Sequence, residues 1–404
     1  MNKPLPRDPM IRELVQMAQR SQLSRRHMLQ GAGIGATALA LAACAPTGSN
    51  SLKPAIDTSA TNKDLIWSNW PTYIDEDAAG NHPTLANFTQ RTGITVLYKP
   101  EIEENNAYFA HIKDRLAAGR AVDADTFCLT DWMVARLIRF GYLQELDAAN
   151  IPNKKWLAPA LLNPDYDPGR LRSIPWQNGF SGIAWNTEQV PAGVQGIEDL
   201  WKPEFKGKVS VLGEMRDTMG LILMSQGVDI SKNGWGNAEF SAAIAVLETQ
   251  LKNGQVIGVM GNEYLGALFS GVTHAAFAFS GDITALNQKA GYEKFKFALP
   301  LSGATLWGDA FVVPMGSARK SNVEQLINYY YDPNVATEVA ASVNFITPVT
   351  GARDVALGAY PELAQNELIF PTAETLAKAH IFRTLTATED QSFNSDFQRI
   401  QKHA

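Results

Sequence analysis

The chain is poor in cysteine, with two among 404 residues, Cys44 and Cys128. Cys44 ends an apolar leader, which leaves Cys128 alone. A lone cysteine makes no internal disulfide, so stability must come from a packed core. Cys128 lies in the apolar run Thr126-Phe127-Cys128-Leu129 with no histidine beside it. That setting predicts a buried structural residue and not a nucleophile. The six histidines, at 27, 82, 111, 274, 380 and 403, show no ligand spacing, so a histidine-built metal site is not expected. No Gly-x-Ser-x-Gly elbow, Walker loop or Gly-x-Gly-x-x-Gly is present, and an enzyme is not expected. Nothing calls for a cofactor. Past the leader no apolar run approaches about 18 residues, which excludes a permanent helical span. The net charge of −6 comes with no basic block, so nucleic acid is not an expected partner and a cationic ligand is favoured.

What is present begins with Ser24-Arg25-Arg26-His27-Met28. After it come about 14 small apolar residues, the length of a signal h-region and too short to cross a bilayer. The stretch ends at Leu41-Ala42-Ala43-Cys44. It resembles a twin-arginine export signal with a lipobox, in which the cysteine is lipidated and becomes the new N-terminus. The alternative is a short amphipathic or buried helix carrying an incidental cysteine. The first reading makes residues 1–44 a lipoprotein signal peptide and residues 45–63, rich in Ser, Thr, Ala, Lys and Pro, a flexible tether. The mature protein is then extracytoplasmic and attached to the membrane through lipid on Cys44. Hydrophobic content of 45% and charged content of 19% describe a globular chain, long enough to suggest two lobes.

From Asp64 the pattern alternates strands and helices. Strands are predicted at 64–68, 94–98 and 125–130, with helices at 83–92, 106–118 and 133–140 between and after them. Such layering gathers the loops after the strands on one edge, where ligands bind in open α/β sheets. Those loops carry Trp70 and Tyr73, Glu101 to Asn106, and Thr130-Asp131-Trp132. Two strand-like runs, 173–176 and 184–186, flank a glycine-rich middle suited to a crossing between lobes. Further strands are expected at 209–212, with Glu214-Met215-Arg216-Asp217 at its end, and at 275–279. Trp307-Gly308-Asp309 is expected in a short turn before a buried strand at Ala310. There is no internal repeat.

Several stretches, taken in order, resemble the extracytoplasmic spermidine/putrescine-binding proteins of ABC importers. They are Trp67-Ser68-Asn69-Trp70-Pro71-Thr72-Tyr73-Ile74, residues 88–96, Gly141-Tyr142-Leu143-Gln144-Glu145-Leu146-Asp147, Ser173-Ile174-Pro175-Trp176, residues 199–208, residues 307–314 and residues 371–376. The resemblance implies an α/β, two-lobed periplasmic-binding-protein-like (type II) fold with a hinge and an interlobe ligand cleft. Lobe 1 is placed at 64–180 and 307–352, and lobe 2 at 181–306 and 353–404. It also implies a monomer that takes a polyamine and docks on an ABC transporter membrane permease. Carried over by position, the ligand-binding residues are Trp70, Tyr73, Thr130, Trp132, Glu214, Asp217, Phe279, Asp282, Trp307 and Asp309. The chain departs from the family at Phe345, where a tyrosine is usual, near Phe382, where an amide is usual, and by exchanging Asp and Glu at 214 and 217.

Elementary chemistry points the same way. Carboxylates spaced along a groove each accept charge-assisted hydrogen bonds from one ammonium. Aromatic faces between them cover methylenes and attract the cations, by roughly 0.5–2 kcal/mol per well-placed contact. Bland readings stand beside these. Trp70 and Trp132 are candidates for plain packing, and Trp67, Trp156, Trp185 and Trp201 are assigned to structure. Glu101, Glu103 and Glu104 read as an acidic loop facing water, Glu214 as a neighbour of a helix N-cap, and Asp217 as a partner for Arg216. Other classes also stay open: a hydrolase with Asp282 and Asp309 as paired carboxylates, or a receptor for another organic cation, an amino acid held by Arg216, a sugar, or Fe(III) held by the Tyr329-Tyr330-Tyr331 run.

Overall fold

The computed structural model describes residues 52–402, so the leader and Cys44 lie outside the described residues. The strands are β1 (Asp64–Asn69), β2 (Thr95–Pro100), β3 (Thr126–Thr130), β4 (Ser173–Asn186), β5 (Val209–Leu212), β6 (Val256–Met260), β7 (Ala275–Phe279), β8 (Phe295–Ala298), β9 (Ala304–Val312) and β10 (Ala379–His380). They form one sheet in the order β2-β1-β3-β9-β4-β7-β5-β6, with β8 on β4 and β10 on β9. Strand β1 is parallel to β2 and β3, and β5 is parallel to β6 and β7. Between these two parallel sets run β9 and β4, antiparallel to each other and to β3 and β7.

Parallel neighbours need crossovers, and helices supply them. In the first lobe these are α1 (Pro83–Thr92) and α2 (Asn105–Ala117), with α3 (Asp131–Arg139) following β3. Helix α1 starts on Pro83 and stops at Gly93, whose φ of 71° is left-handed, the two ends expected for such a segment. In the second lobe the helices are α4 (Met215–Ser225), α5 (Asn237–Lys252), α6 (Tyr264–Ser270) and α7 (Ser280–Ala290). The C-terminal set is α8 (Lys320–Tyr330), α9 (Pro333–Val343), α10 (Ala352–Ala359), α11 (Ala373–Leu376) and α12 (Ala387–Gln401).

Both faces of the first lobe's sheet are covered, and strand alternation divides its side chains. Cys128, Phe311 and Val313 face one core with Trp67, Phe88 and Leu326, while Phe127, Leu129, Ala310 and Val312 face another with Ile112 and Leu137. Cys128 is fully buried, as its apolar run implies. A separate core in the second lobe joins Val211, Ile222, Phe240, Phe277 and Phe393.

Four expectations need correction. The two runs around the glycine-rich middle are one strand, β4, buried along its whole length. Its first part pairs with β9 and its last part with β7 and β8, so it passes from one lobe to the other. Gly179 is required there, because a Cβ would lie 2.4 Å from the Trp307 ring across the β9 pairing. Secondly, Trp307 and Asp309 lie inside β9 and not in a turn before it, and their two-residue spacing puts both on one face. Thirdly, the segment after residue 352 does not go directly to the second lobe. Ala352 and Ala356 of α10, with Ala364, Ile369 and Phe370, pack in the first lobe's core, because the small residues four apart let α10 lie close on α9. The chain rejoins the second lobe only through β10 and α12, which carries Phe393, Phe397 and Ile400 into that core.

Lastly, the described part of the tether expected over 45–63, residues 52–63, is anchored to the first lobe at several points. Backbone N–H groups of Ala55 and Thr58 donate to the carbonyls of Met315 and Ala318, each at 2.8 Å. The Asp57 carboxylate accepts from the backbone N–H of Ser321 in the first turn of α8 at 3.1 Å, where an anion complements the helix dipole. Asp57→Ala is therefore expected to cost about 0.5–1 kcal/mol of unfolding free energy, read by urea denaturation. An unchanged midpoint would show that this N-terminal strap contributes nothing.

Candidate functional site

The carboxyl ends of the strands converge where β4 and β9 cross. Asp309, 5% exposed, stands on β9 directly opposite Thr130 at the end of β3. The Thr130 hydroxyl donates to Asp309 Oδ1 at 2.7 Å, and the Tyr73 hydroxyl donates to Oδ2 at 2.8 Å. Thr130 is itself fixed by Asn105, whose amide Nδ2 donates to its hydroxyl at 2.9 Å. On the second lobe, Asp217 lies in the first turn of α4, also 5% exposed. Its Oδ1 accepts from Ser181 Oγ at 2.6 Å and Thr305 Oγ1 at 2.8 Å, a directly opposed pair on β4 and β9. Asp282, half-buried in the first turn of α7, accepts from the Tyr264 hydroxyl at 2.6 Å. That hydroxyl also accepts from the N–H of Phe279, so the end of β7 positions the carboxylate.

All three acids receive neutral hydroxyl donors, and none belongs to the ion pairs of the described residues. Burial pushes the Asp309 carboxyl up to about 7, against the opposing bonds from Thr130 and Tyr73. Burial likewise raises Asp217 and Asp282 to about 6, with the hydroxyl bonds again opposing. Glu214 is half-buried and forms the N-cap of α4; burial first and the Asp217 charge second raise it to about 8.

Aromatic rings run between these acids. Trp307 meets Phe279 edge-on at 5.5 Å between centroids and Phe345 at 5.4 Å, and Phe345 meets Tyr73 at 5.5 Å. Phe345 lies in the middle of this wall because Gly281, at the start of α7, has no Cβ to displace it. Trp70 is half-buried between the first lobe's two cores.

Trp132 is placed differently. The Arg216 guanidinium lies over its ring at 4.1 Å and that of Arg136 at 4.9 Å. Arg216 does not pair with Asp217. Its Nη2 donates to Asp390 Oδ1 at 2.8 Å, while Arg136 donates to Asp390 Oδ2 at 2.6 Å through Nη2. Arg136 comes from the first lobe and Asp390 from α12 of the second, so this cluster joins the lobes at one end of the cleft.

Of the ten residues proposed from sequence, Tyr73 and Thr130 are hydrogen-bonded to Asp309, Phe279 and Trp307 are in ring contact, Asp282 is held beside Phe279 through Tyr264, and Asp217 is bonded to Thr305 on the same strand as Trp307. Trp70 packs between two cores, Glu214 caps α4, and Trp132 lies under arginine. Sequence reasoning missed Asn105, Ser181, Tyr264 and Thr305. Ser181 and Thr305 carried a faint signal as hydroxyls in buried strand positions; Tyr264 carried none. The tyrosine run is used by packing: Tyr331 donates to the Pro175 carbonyl at 2.6 Å and Tyr330 lies 2.9 Å from the Thr84 hydroxyl. Glu101 and Glu104 serve structure, accepting from Ser68 Oγ at 2.6 Å and from the N–H of Ala107 at 2.7 Å in α2.

Residues 84–370 match the family described as bacterial extracellular solute-binding protein. The chain belongs to that family. This solute-binding protein is 27% identical over 316 residues to the spermidine/putrescine-binding periplasmic protein of Escherichia coli (strain K12), covering 78% of this chain and 85% of that one. It is 26% identical over 337 residues to the putrescine-binding periplasmic protein PotF of the same organism, covering 79% and 86%. Its fold matches the crystal structure of PotD, a spermidine/putrescine ABC transporter substrate-binding protein from Streptococcus pneumoniae. The TM-score is 0.70 at 23% identity, over 84% of this chain and 99% of that one. The α/β, periplasmic-binding-protein-like architecture expected from sequence is therefore the observed one.

The raised carboxyls have a consequence for the ligand-free solute-binding protein. An acid whose pKa is raised by folding contributes stability that is fully present below its unfolded pKa and lost as pH rises through the folded one. For Asp309 that loss runs from about pH 4 to about 7. Ligand-free Asp309→Asn is expected to be more stable than the parent at pH 8, by about 1–3 kcal/mol, and equal to it at pH 4. Thermal unfolding at both pH values checks this, and a variant less stable at pH 8 would contradict it.

Proposed function

We propose that this protein captures a polyamine, putrescine or spermidine, in the cleft between its lobes and delivers it to an ABC transporter permease. One observation carries the reading. Asp217, Asp282 and Asp309 are buried or half-buried carboxylates supplied with hydroxyl donors but, among the described residues, no ion-pair partner, and aromatic rings stand between them. An ammonium supplies the missing positive charge, and in a water-poor cleft a charge-assisted hydrogen bond is strong. Hydroxyls occupy only Oδ1 of Asp217 and only Oδ2 of Asp282 among the described residues, which leaves one oxygen of each for an N–H of the ligand. Trp307, Phe279 and Phe345 offer ring faces and edges to the methylenes between the ammonium groups. The names of the two Escherichia coli relatives support the same ligand class. An amino-acid receptor would want an arginine for the carboxylate; Arg216 gives its Nη2 to Asp390, and its Nη1 is buried without a hydrogen-bond partner among the described residues.

The periplasmic relatives support an extracytoplasmic location, and the Arg25-Arg26 leader ending at Cys44 supports export and a lipid anchor at the membrane where the permease lies. A monomer without catalytic activity suffices for this role.

Calorimetric titration tests the ligand. Putrescine or spermidine is expected to bind, and Asp309→Asn and Asp217→Asn are each expected to weaken binding tenfold or more, since each leaves an ammonium unpaired in a closed cleft. Unchanged affinity in both variants would remove these residues from the site. Binding is also expected to strengthen from pH 5 to pH 8 with proton release near pH 6, because an ammonium favours the ionised forms of acids standing at about 6 and about 7. Titration in buffers of different ionisation enthalpy counts those protons, and proton uptake would reverse the assignment.

A further inference from the structure

Asp390 and Asp309 show two ways of satisfying a buried carboxylate in one molecule. Asp390, 8% exposed, has both oxygens filled by guanidinium groups, Arg216 on Oδ1 at 2.8 Å and Arg136 on Oδ2 at 2.6 Å. Asn394 Nδ2 also donates to Oδ1 at 3.0 Å. Asp309 has two hydroxyls and no cation. The Asp390 carboxylate is thus filled without a ligand, while Arg216 Nη1 stays buried with no hydrogen-bond partner among the described residues.

Arg216 is only 8% exposed, and its guanidinium is enclosed by rings: Trp132 of the first lobe at 4.1 Å and Phe382 of the second at 5.9 Å. A carboxylate beside an aromatic face is the pairing that binds an ammonium elsewhere in the cleft. At this end the protein's own cation holds that position. Phe382 has no polar atom to offer an incoming N–H, and Trp235 packs edge-on against it at 5.3 Å, which keeps the ring in place.

We propose that Arg216 is a specificity-determining residue: it fills the cation position at the Trp132 end of the cleft and selects a ligand with two ammonium groups over one with three. The inference rests on the polyamine reading above. A diamine spans Asp282, Trp307 and the Asp217–Asp309 centre. The additional arm of a triamine must extend past Asp217 toward Arg216, where its ammonium meets a like charge in a poorly hydrated site, a repulsion that discriminates by several-fold or more. Rejection by a misplaced charge needs no contact with the preferred ligand, so Arg216 acts on the ratio of affinities and not on diamine binding itself.

Calorimetric titration of putrescine, spermidine and 4-aminobutyrate into the purified protein and its Arg216→Gln variant tests this. The parent is expected to bind putrescine at least tenfold more tightly than spermidine. Arg216→Gln, checked for folding by circular dichroism, is expected to gain spermidine affinity and shrink that ratio at least fivefold. Phe382→Gln loosens the same enclosure without touching Asp390, and is expected to move the ratio the same way if Arg216→Gln does not fold. A parent that binds spermidine as tightly as putrescine overturns the inference while leaving the polyamine reading intact, as does a folded variant with an unchanged ratio. Preference for 4-aminobutyrate would make Arg216 a carboxylate receptor and overturn both. Absence of binding by either polyamine removes the polyamine reading, and this inference with it.

Discussion

Carboxylates withdrawn from water without a counter-charge are the constraint around which this molecule is arranged. Moving an ionised group into a low-dielectric interior is costly unless it is paired, and the usual escape is to hold a proton. Asp309, Asp217 and Asp282 take that escape in part, as burial raises each well above the ordinary carboxylate range. Their partners are hydroxyls from Tyr73, Thr130, Ser181, Thr305 and Tyr264. Hydroxyls fix the orientation of a carboxylate and satisfy lone pairs without cancelling its charge. The unliganded site therefore holds an electrostatic deficit, and if the ligand is the proposed polyamine, that deficit makes stability and ligand affinity respond oppositely to rising pH.

The crossing strands make this arrangement possible. Were β4 and β9 confined to one lobe, the acids would lie at two separate sheet edges. Because β4 pairs with β9 along its first part and with β7 along its second, the hydroxyls at 181 and 305 serve an acid from α4 on one lobe while Asp309 is held from β3 and the Tyr73 loop on the other. Gly179 and Gly281 are the local price of this closeness, one admitting the Trp307 ring and the other Phe345.

Much of this was legible in the sequence, for identifiable reasons. Helix α1 could be bounded from Pro83 and Gly93, and β5 and β7 from short apolar runs, because local propensity and tertiary role agree there. Loops after parallel strands had to lie on one edge, which located Trp70, Tyr73 and Thr130. What could not be read depended on pairing across long separations. A glycine-rich middle looks like a break in β4 until Trp307 is known to lie against Gly179. Trp307-Gly308-Asp309 looks like a turn until β9 is known to continue through it between β3 and β4. Ala352 and Ala356 carry no sign of which lobe they join, since alanines four apart fit any close helix contact. The docking of Asp57 on α8 spans more than 250 residues of chain and leaves no local pattern.

Arg216 shows how far type and position alone can mislead. Between Glu214 and Asp217 an arginine invites pairing with its acidic neighbours, yet on α4 the side chain at 216 points away from that of 217, and Asp390 reaches it from α12. The consequence is a division of labour among the acids of the cleft. Asp390 binds the two lobes' arginines, whereas Asp217 and Asp309 make no ion pair with an arginine among the described residues. On the proposed polyamine reading, cation binding is confined to the stretch between Arg216 and Asp282, and the length of the ligand is set by where the protein has already supplied its own positive charge.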